Sequence, residues 1–219
     1  MKITVSKEDY LKAILEAECE GEQVISATLA GWLSVSPPAV SMALRRLKKD
    51  ALVQVEPEGR VRLTAAGRRI ARRLAFRHYL IERMLSEFFG LEWYKVHDEA
   101  ERLEHAVSAD FEARLVKRLG RRRPCPHGNG FLPETPARRR RRGLEPLAEA
   151  EVGGSYRVNS TYERDRRLLE FLEDRGIRPG ARLRVLARNY DQTVTLHTSA
   201  GTVTLGGPAT VHVWLAAER

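Results

Sequence analysis

SATLAGWLSVSPPAVSMALRRLKKDALVQVEPEGRVRL, residues 26–63, is the stretch on which the fold turns. It opens with a short helix over about 26–34, with Ser26 as its cap and Leu29, Ala30 and Leu33 facing inward. Ser34-Val35-Ser36-Pro37-Pro38 breaks that helix with a turn, and proline suits the first position of the next one. A helix over about 37–49 follows, with Val40, Leu44 and Leu47 on its apolar face and Arg45, Arg46, Lys48 and Lys49 outward. Leu52-Val53-Gln54-Val55 and Val61-Arg62-Leu63 then alternate around a polar tip, the pattern of a β-hairpin. Upstream, Tyr10, Leu11, Ile14 and Leu15 predict a helix over 7–20 capped by Ser6. Helix, short helix, turn, helix, hairpin is the order of a winged helix-turn-helix, assigned to residues 1–64.

Such a fold puts its second paired helix in a major groove. Ser36, Pro38, Ala39, Ser41, Met42, Arg45 and Arg46 would enter the groove, with Ser36, Ser41 and Met42 on base edges, while Arg45, Lys48 and Lys49, with Arg60 and Arg62 on the hairpin, would reach phosphates. A basic, solvated helix face would account for the charges alone. It would not account for the hairpin that follows.

Outward from this unit, the periodicity predicts helices over about 65–88, closed by Gly90, over 92–106, and from a Ser108 cap to Leu119. These make residues 65–136 a helical domain. Residues 120–146 read as loop and linker, ending in an Arg-rich connection over 137–146. Beyond it, five short alternating runs and one helix over about 163–174 predict a small β-barrel across 147–219. The fold class is mainly α with a small β part.

Charge refines the picture. The 219 residues carry 38 Lys and Arg against 29 Asp and Glu, a net charge of +9. Residues 1–64 hold 9 of each sign, whereas residues 121–146 hold 8 basic against 2 acidic. Two thirds of the excess therefore lies outside the predicted DNA-binding unit, which needs only a local basic face. No apolar run approaches the roughly 20 residues of a membrane span. The first residues lack a signal peptide's apolar region, so a cytoplasmic location without a membrane partner is expected. Two cysteines, Cys19 and Cys125, are too few for a disulfide framework or a cysteine-based zinc site.

Residues 78–105 carry the chemistry. His78 and Glu82 are four apart on one predicted helix; His97, Glu101 and His105 follow at i, i+4 and i+8 on the next, with Glu104 beside them. Imidazole and carboxylate on neighbouring helices suit a divalent metal. No Ser, Thr or Cys nucleophile partners them, so neither an enzyme nor a small organic substrate is expected. Cys125-Pro-His127 offers metal ligands but, in a proline-rich loop, is assigned to loop packing, His197 and His212 to surface or half-buried strand positions, and Trp32, Trp93 and Trp214 to the core. Arg138–Arg142 reads either as a solvated linker or as a contact with DNA or acidic partners.

With these motifs the chain resembles the DtxR/MntR family of metal-dependent transcriptional repressors. The likeness runs through Arg77-His-Tyr-Leu-Ile-Glu82, Gly90 to His105 and Cys125-Pro-His-Gly-Asn-Gly130. It continues into a terminal part that resembles an SH3-like FeoA-type domain. The resemblance implies a homodimer that binds palindromic double-stranded operator DNA when loaded with metal. It implies a primary site of Asp9, Glu101, Glu104 and His105, and an ancillary site of His78, Glu82 and His97, to which Glu163 of the barrel is added. Carboxylates at Asp9 and Glu101, in place of the methionine and cysteine of iron-type members, imply Mn(II), with Fe(II) as the alternative metal. A metal-independent winged-helix DNA-binding protein is the other alternative. Lys12 stands where some manganese-type members have a carboxylate, and its ammonium could pair with the same acids. Met42 replaces a base-reading glutamine of iron-type members. Without metal, the clustered carboxylates are expected to repel one another.

Overall fold

The computed structural model describes residues 4–218. Helices α1 (Val5–Cys19), α2 (Ser26–Leu33) and α3 (Pro37–Lys49) and strands β1 (Val53–Val55) and β2 (Val61–Leu63) form the winged helix-turn-helix. Ser6 lies inside α1 instead of capping it; Thr4 is the cap, its hydroxyl accepting from the Lys7 amide at 3.4 Å. Ser26 is likewise the first helical residue, and no side chain caps α2. Ser36 caps α3 ahead of two prolines, the pattern that fixes where a helix starts. Leu11, Ile14, Leu29, Val40, Leu47, Leu52 and Val61 close one core.

Thr64 caps α4 (Ala65–Phe89), and Gly90 ends it in the left-handed region at φ +66°, where a glycine is needed. Gly67 in its first turn lets α4 lie on the hairpin, because a Cβ there would stand 2.1 Å from the Leu52 carbonyl oxygen. Helix α5 (Val96–Leu103) is shorter at both ends than the expected 92–106. It stops before Glu104 and His105, which occupy the following turn. Helix α6 (Ala109–Leu119) starts at its Ser108 cap.

The Arg-rich run is structured and not a linker, although Arg138, Arg140, Arg141 and Arg142 are exposed. It forms α7 (Pro136–Arg141), followed by strand β3 (Leu144–Pro146). Arg139 is buried, bonded to Glu20 at 3.0 Å with its guanidinium carbon 5.1 Å from the Trp214 ring centre. Arg138 and Arg142 pair with Glu134, and Arg140 pairs with Glu149. Glu20, distant in sequence, thus ties Arg139 to α1, a link that composition alone cannot show.

The terminal part adds β4 (Ser155–Thr161), α8 (Arg166–Glu173), β5 (Arg182–Arg188), β6 (Val194–Thr198), β7 (Gly201–Leu205) and β8 (Val213–Ala217). With β3 they make a six-stranded antiparallel sheet in the order β3-β8-β4-β5-β6-β7, one strand more than expected. Its alternating inward residues, among them Val158, Val185, Leu196 and Leu215, build a second core. Helix α8 starts at Arg166, so Glu163 and Arg164 lie in the connection after β4. Trp214 is buried as expected, whereas Trp32 and Trp93 are only partly so. His197 is exposed on β6, and His212 precedes β8, stacked 4.8 Å from Tyr162.

Candidate metal centre and nucleic-acid face

Two ion clusters lie on either side of one hydrogen bond. The first joins the winged helix-turn-helix to the helical domain. Asp9 on α1 brings its Oδ1 to within 2.8 Å of His105 Nε2. His105 Nε2 lies 3.7 Å from Glu104 Oε1, and ligand atoms of all three residues fall within 4.8 Å of one another. His105 lies in the turn that follows α5, where its ring meets α1. Glu8, which the sequence reading passed over, sits 2.9 Å from His105 Nδ1. A carboxylate there holds the ring so that Nε2 faces Asp9. The i−1 position of Asp9 on α1 was the only signal for it.

Glu101 is not gathered with these three. Its Oε1 is 3.1 Å from an Arg164 nitrogen, 3.5 Å from His97 Nε2 and 3.7 Å from Lys12 Nζ. Lys12 is buried with its ammonium 2.8 Å and 3.0 Å from the two Glu104 oxygens. His78 Nδ1 and Lys12 Nζ approach to 2.9 Å because both reach Glu104, His78 at 2.7 Å from Oε2. The carboxylates therefore do not stand unopposed: Lys12 and Arg164 are built-in countercharges.

The second cluster is buried apart from the partly exposed Glu163 and centres on Glu82 Oε1. That atom lies 3.0 Å from His78 Nε2, 3.4 Å from His97 Nδ1 and 3.2 Å from His127 Nδ1. Glu163 Oε2 comes to 3.7 Å from His127 Nδ1 and 4.0 Å from Cys125 Sγ. Two overlapping sets of four could hold an ion, His78, Glu82, His97 and Glu163, or Glu82, Cys125, His127 and Glu163. The assignment of Cys125-Pro-His127 to loop packing is thus corrected, since both donors are buried in the cluster. His127 Nε2 has no hydrogen-bond partner among the described residues, an unusual state for a buried nitrogen. Gly128 makes this placement possible. At φ +83° its missing Cβ would stand 1.9 Å from the Asn159 carbonyl oxygen, so the loop can press against β4.

Electrostatics follow the geometry. Burial and Lys12 disfavour the charged form of His78, but Glu82 and Glu104 prevail and push its pKa up to about 10. Burial likewise opposes ionisation of Glu82, yet His127 and His78 hold its carboxyl well below the usual range. Burial raises Asp9, with His105 acting against it. Burial and the neighbouring Glu82 and Glu163 push the Cys125 thiol up strongly. Apart from the thiol, the metal-free clusters are interlocked ion pairs. Both donor sets, N/O in the first and N/O with one thiol in the second, fit a divalent cation.

On α3, the expected base-facing and phosphate-facing residues Ser36, Pro38, Ala39, Ser41, Met42, Arg45, Arg46 and Lys49 are all exposed, as is Arg60 of the hairpin. Arg62 pairs with Glu56, whereas Arg45, Arg46, Lys48, Lys49 and Arg60 enter no ion pair among the described residues. This leaves one basic face on an otherwise neutral unit.

Three family models match the chain. An iron-dependent repressor N-terminal DNA-binding domain matches residues 2–61, and an iron-dependent repressor metal-binding and dimerisation domain matches 64–132. A FeoA domain matches 145–212. The iron-dependent repressor IdeR of Mycobacterium tuberculosis is 35% identical over 191 residues, covering 81% of this chain and 82% of that protein. The diphtheria toxin repressor of Corynebacterium jeikeium is 41% identical over 122 residues, 56% of this chain and 51% of that protein. The match thus spans about half the length of the latter. Among solved structures, a manganese-dependent transcriptional repressor in complex with manganese superposes with a TM-score of 0.83 at 34% identity, covering 97% of this chain and all of the other. The manganese regulator SloR gives 0.80 at 28% identity, covering 97% and 98%.

Proposed function

The chain belongs to the iron-dependent repressor family, and from that premise we propose that it is a metal-dependent transcriptional repressor. In this reading it binds palindromic operator DNA as a homodimer when loaded with Mn(II). The observation that carries the proposal is the meeting of Asp9 on α1 with Glu104 and His105 beyond α5. These three, with Glu101, would hold the regulatory cation, which would supply a positive charge shared between the DNA-binding unit and the helical domain. His78, Glu82, His97, Cys125, His127 and Glu163 would hold a second ion.

Each protein group has a defined part. Glu8 orients His105, Glu104 joins the clusters through His78, and Lys12 keeps Glu104 compensated. Ser36, Pro38, Ala39, Ser41 and Met42 present the surface of α3 to bases, while Arg45, Arg46, Lys49 and Arg60 reach phosphates. Phe88 and Phe89 at the end of α4, with Phe111 on α6, are exposed and supply apolar area for a dimer. Nitrogen and oxygen donors in the first cluster favour Mn(II). A second reading, an iron-responsive repressor, is favoured by the softer Cys125 donor in the buried cluster and by the iron-dependent relative. Duplexes selected from a random DNA pool with Mn(II) test the proposal. They should be two-fold symmetric and should lose the protein on adding chelator; binding indifferent to chelator would overturn it. Repeating the titration with Fe(II) and Zn(II) decides the metal.

A further inference from the structure

Arg164 belongs to neither ligand set, yet it touches three parts of the molecule. It follows Glu163 in the connection between β4 and α8. One guanidinium nitrogen lies 2.8 Å from Glu16 Oε2 on α1 and 3.1 Å from Glu101 Oε1 on α5. The other donates to the Trp32 carbonyl oxygen of α2 at 3.2 Å. The guanidinium carbon also stands 4.9 Å from the Trp32 ring centre, and the side chain is only 16% exposed.

This arrangement uses what distinguishes arginine. Its planar fork fixes several acceptors in one geometry and packs on an aromatic face, which a lysine ammonium does not reproduce. Glu101, by contrast, is 41% exposed, and a long side chain so placed loses considerable rotamer freedom when fixed. Arg164 restrains it in the pocket that Asp9, Glu104 and His105 also line. The consecutive residues Glu163 and Arg164 thus serve different clusters, one buried and one at the DNA-binding unit.

We infer that Arg164 is the positioning residue through which the barrel sets Glu101 at the first metal cluster and holds the winged helix-turn-helix against it. The inference rests on the proposal that Glu101 belongs to that cluster. It gives the terminal barrel a task beyond contributing Glu163.

Calorimetric Mn(II) titration of the full chain, with 19F NMR of 5-fluorotryptophan protein, provides the test. Glu101→Gln identifies the first cluster's binding step and Glu82→Gln identifies the buried cluster's. Loss of a group that orients a ligand costs about 10–100-fold in metal affinity, so Arg164→Ala should weaken the first step by that factor and leave the second unchanged. The Trp32 resonance should shift in the metal-free variant, and Arg164→Lys should regain part of the affinity. If Arg164→Ala keeps wild-type affinity while Glu101→Gln weakens the first step, the inference is overturned. If Glu101→Gln also changes nothing, the ligand assignment fails instead, and an unmoved Trp32 resonance then overturns the clamp independently. Should Arg164→Ala not fold, Arg164→Lys answers alone: intermediate affinity supports the inference and wild-type affinity overturns it.

Discussion

The two ion clusters share His78 and Glu104 across one hydrogen bond but sit in different surroundings. The Glu82 cluster is walled in by α4, α5, the 125–129 loop and the β4–α8 connection, so its members have little freedom to part. The Asp9 cluster lies where α1 meets the turn after α5, with Asp9 38% exposed, and its members come from two different units. Burial makes the Glu82 cluster a structural element. In the proposed function, the position of the Asp9 cluster between two units lets it report on a cation.

The largest effect should fall on the buried cluster. Glu82→Ala removes the one carboxylate facing three imidazoles, and breaking a buried ion pair costs about 3–5 kcal/mol. Chemical denaturation of the metal-free protein checks this, and the corresponding loss for Asp9→Ala should be much smaller. Equal losses would erase the distinction between the clusters.

A softer probe separates them by donor type. Cys125→Ser should weaken Cd(II) binding roughly tenfold more than Mn(II) binding, a difference of about 1.4 kcal/mol. Competition titrations would show it at the buried cluster's step.

The pH dependence has a defined sign. The pKa of His78 is raised from 6.5 to about 10, so its contribution to metal-free stability is fully present below 6.5 and is lost as pH rises through 10. A cation that takes His78 as ligand must displace that proton. Its affinity should therefore strengthen across this window, by no more than tenfold per pH unit for one proton. Heats of binding that do not vary with buffer ionisation enthalpy would contradict it.

The smallest effect belongs to the surface. Arg46→Ala should weaken DNA binding uniformly across sequences and reduce the salt slope by about one, without altering either metal affinity.

Much of this was legible in the sequence because it rests on local rules. Ser36-Pro37-Pro38 announces the start of α3, Thr64 and Gly90 bracket α4, and alternation marks the strands. His78, Glu82 and His97 come together as their spacing suggests. Long-range charge was not legible. Arg139 looks solvated until Glu20 and Trp214 meet it, and Arg164 carries no motif. Cys125 and His127 sit among prolines that read as linker, and only the close approach allowed by Gly128 brings them to Glu82. His105 was placed on the helix by periodicity, but it lies in the turn after α5, where it meets Glu8 and Asp9 of α1.

The central claim is that a cation at Asp9 ties the DNA-binding unit to the helical domain. DNA affinity of the wild type and of Asp9→Ala, each with Mn(II) or chelator, tests it most directly. The account predicts that Mn(II) tightens wild-type binding by 1–3 kcal/mol, about 5–150-fold, and leaves Asp9→Ala at the chelated level with its dimer intact. Full Mn(II) stimulation of Asp9→Ala would contradict it.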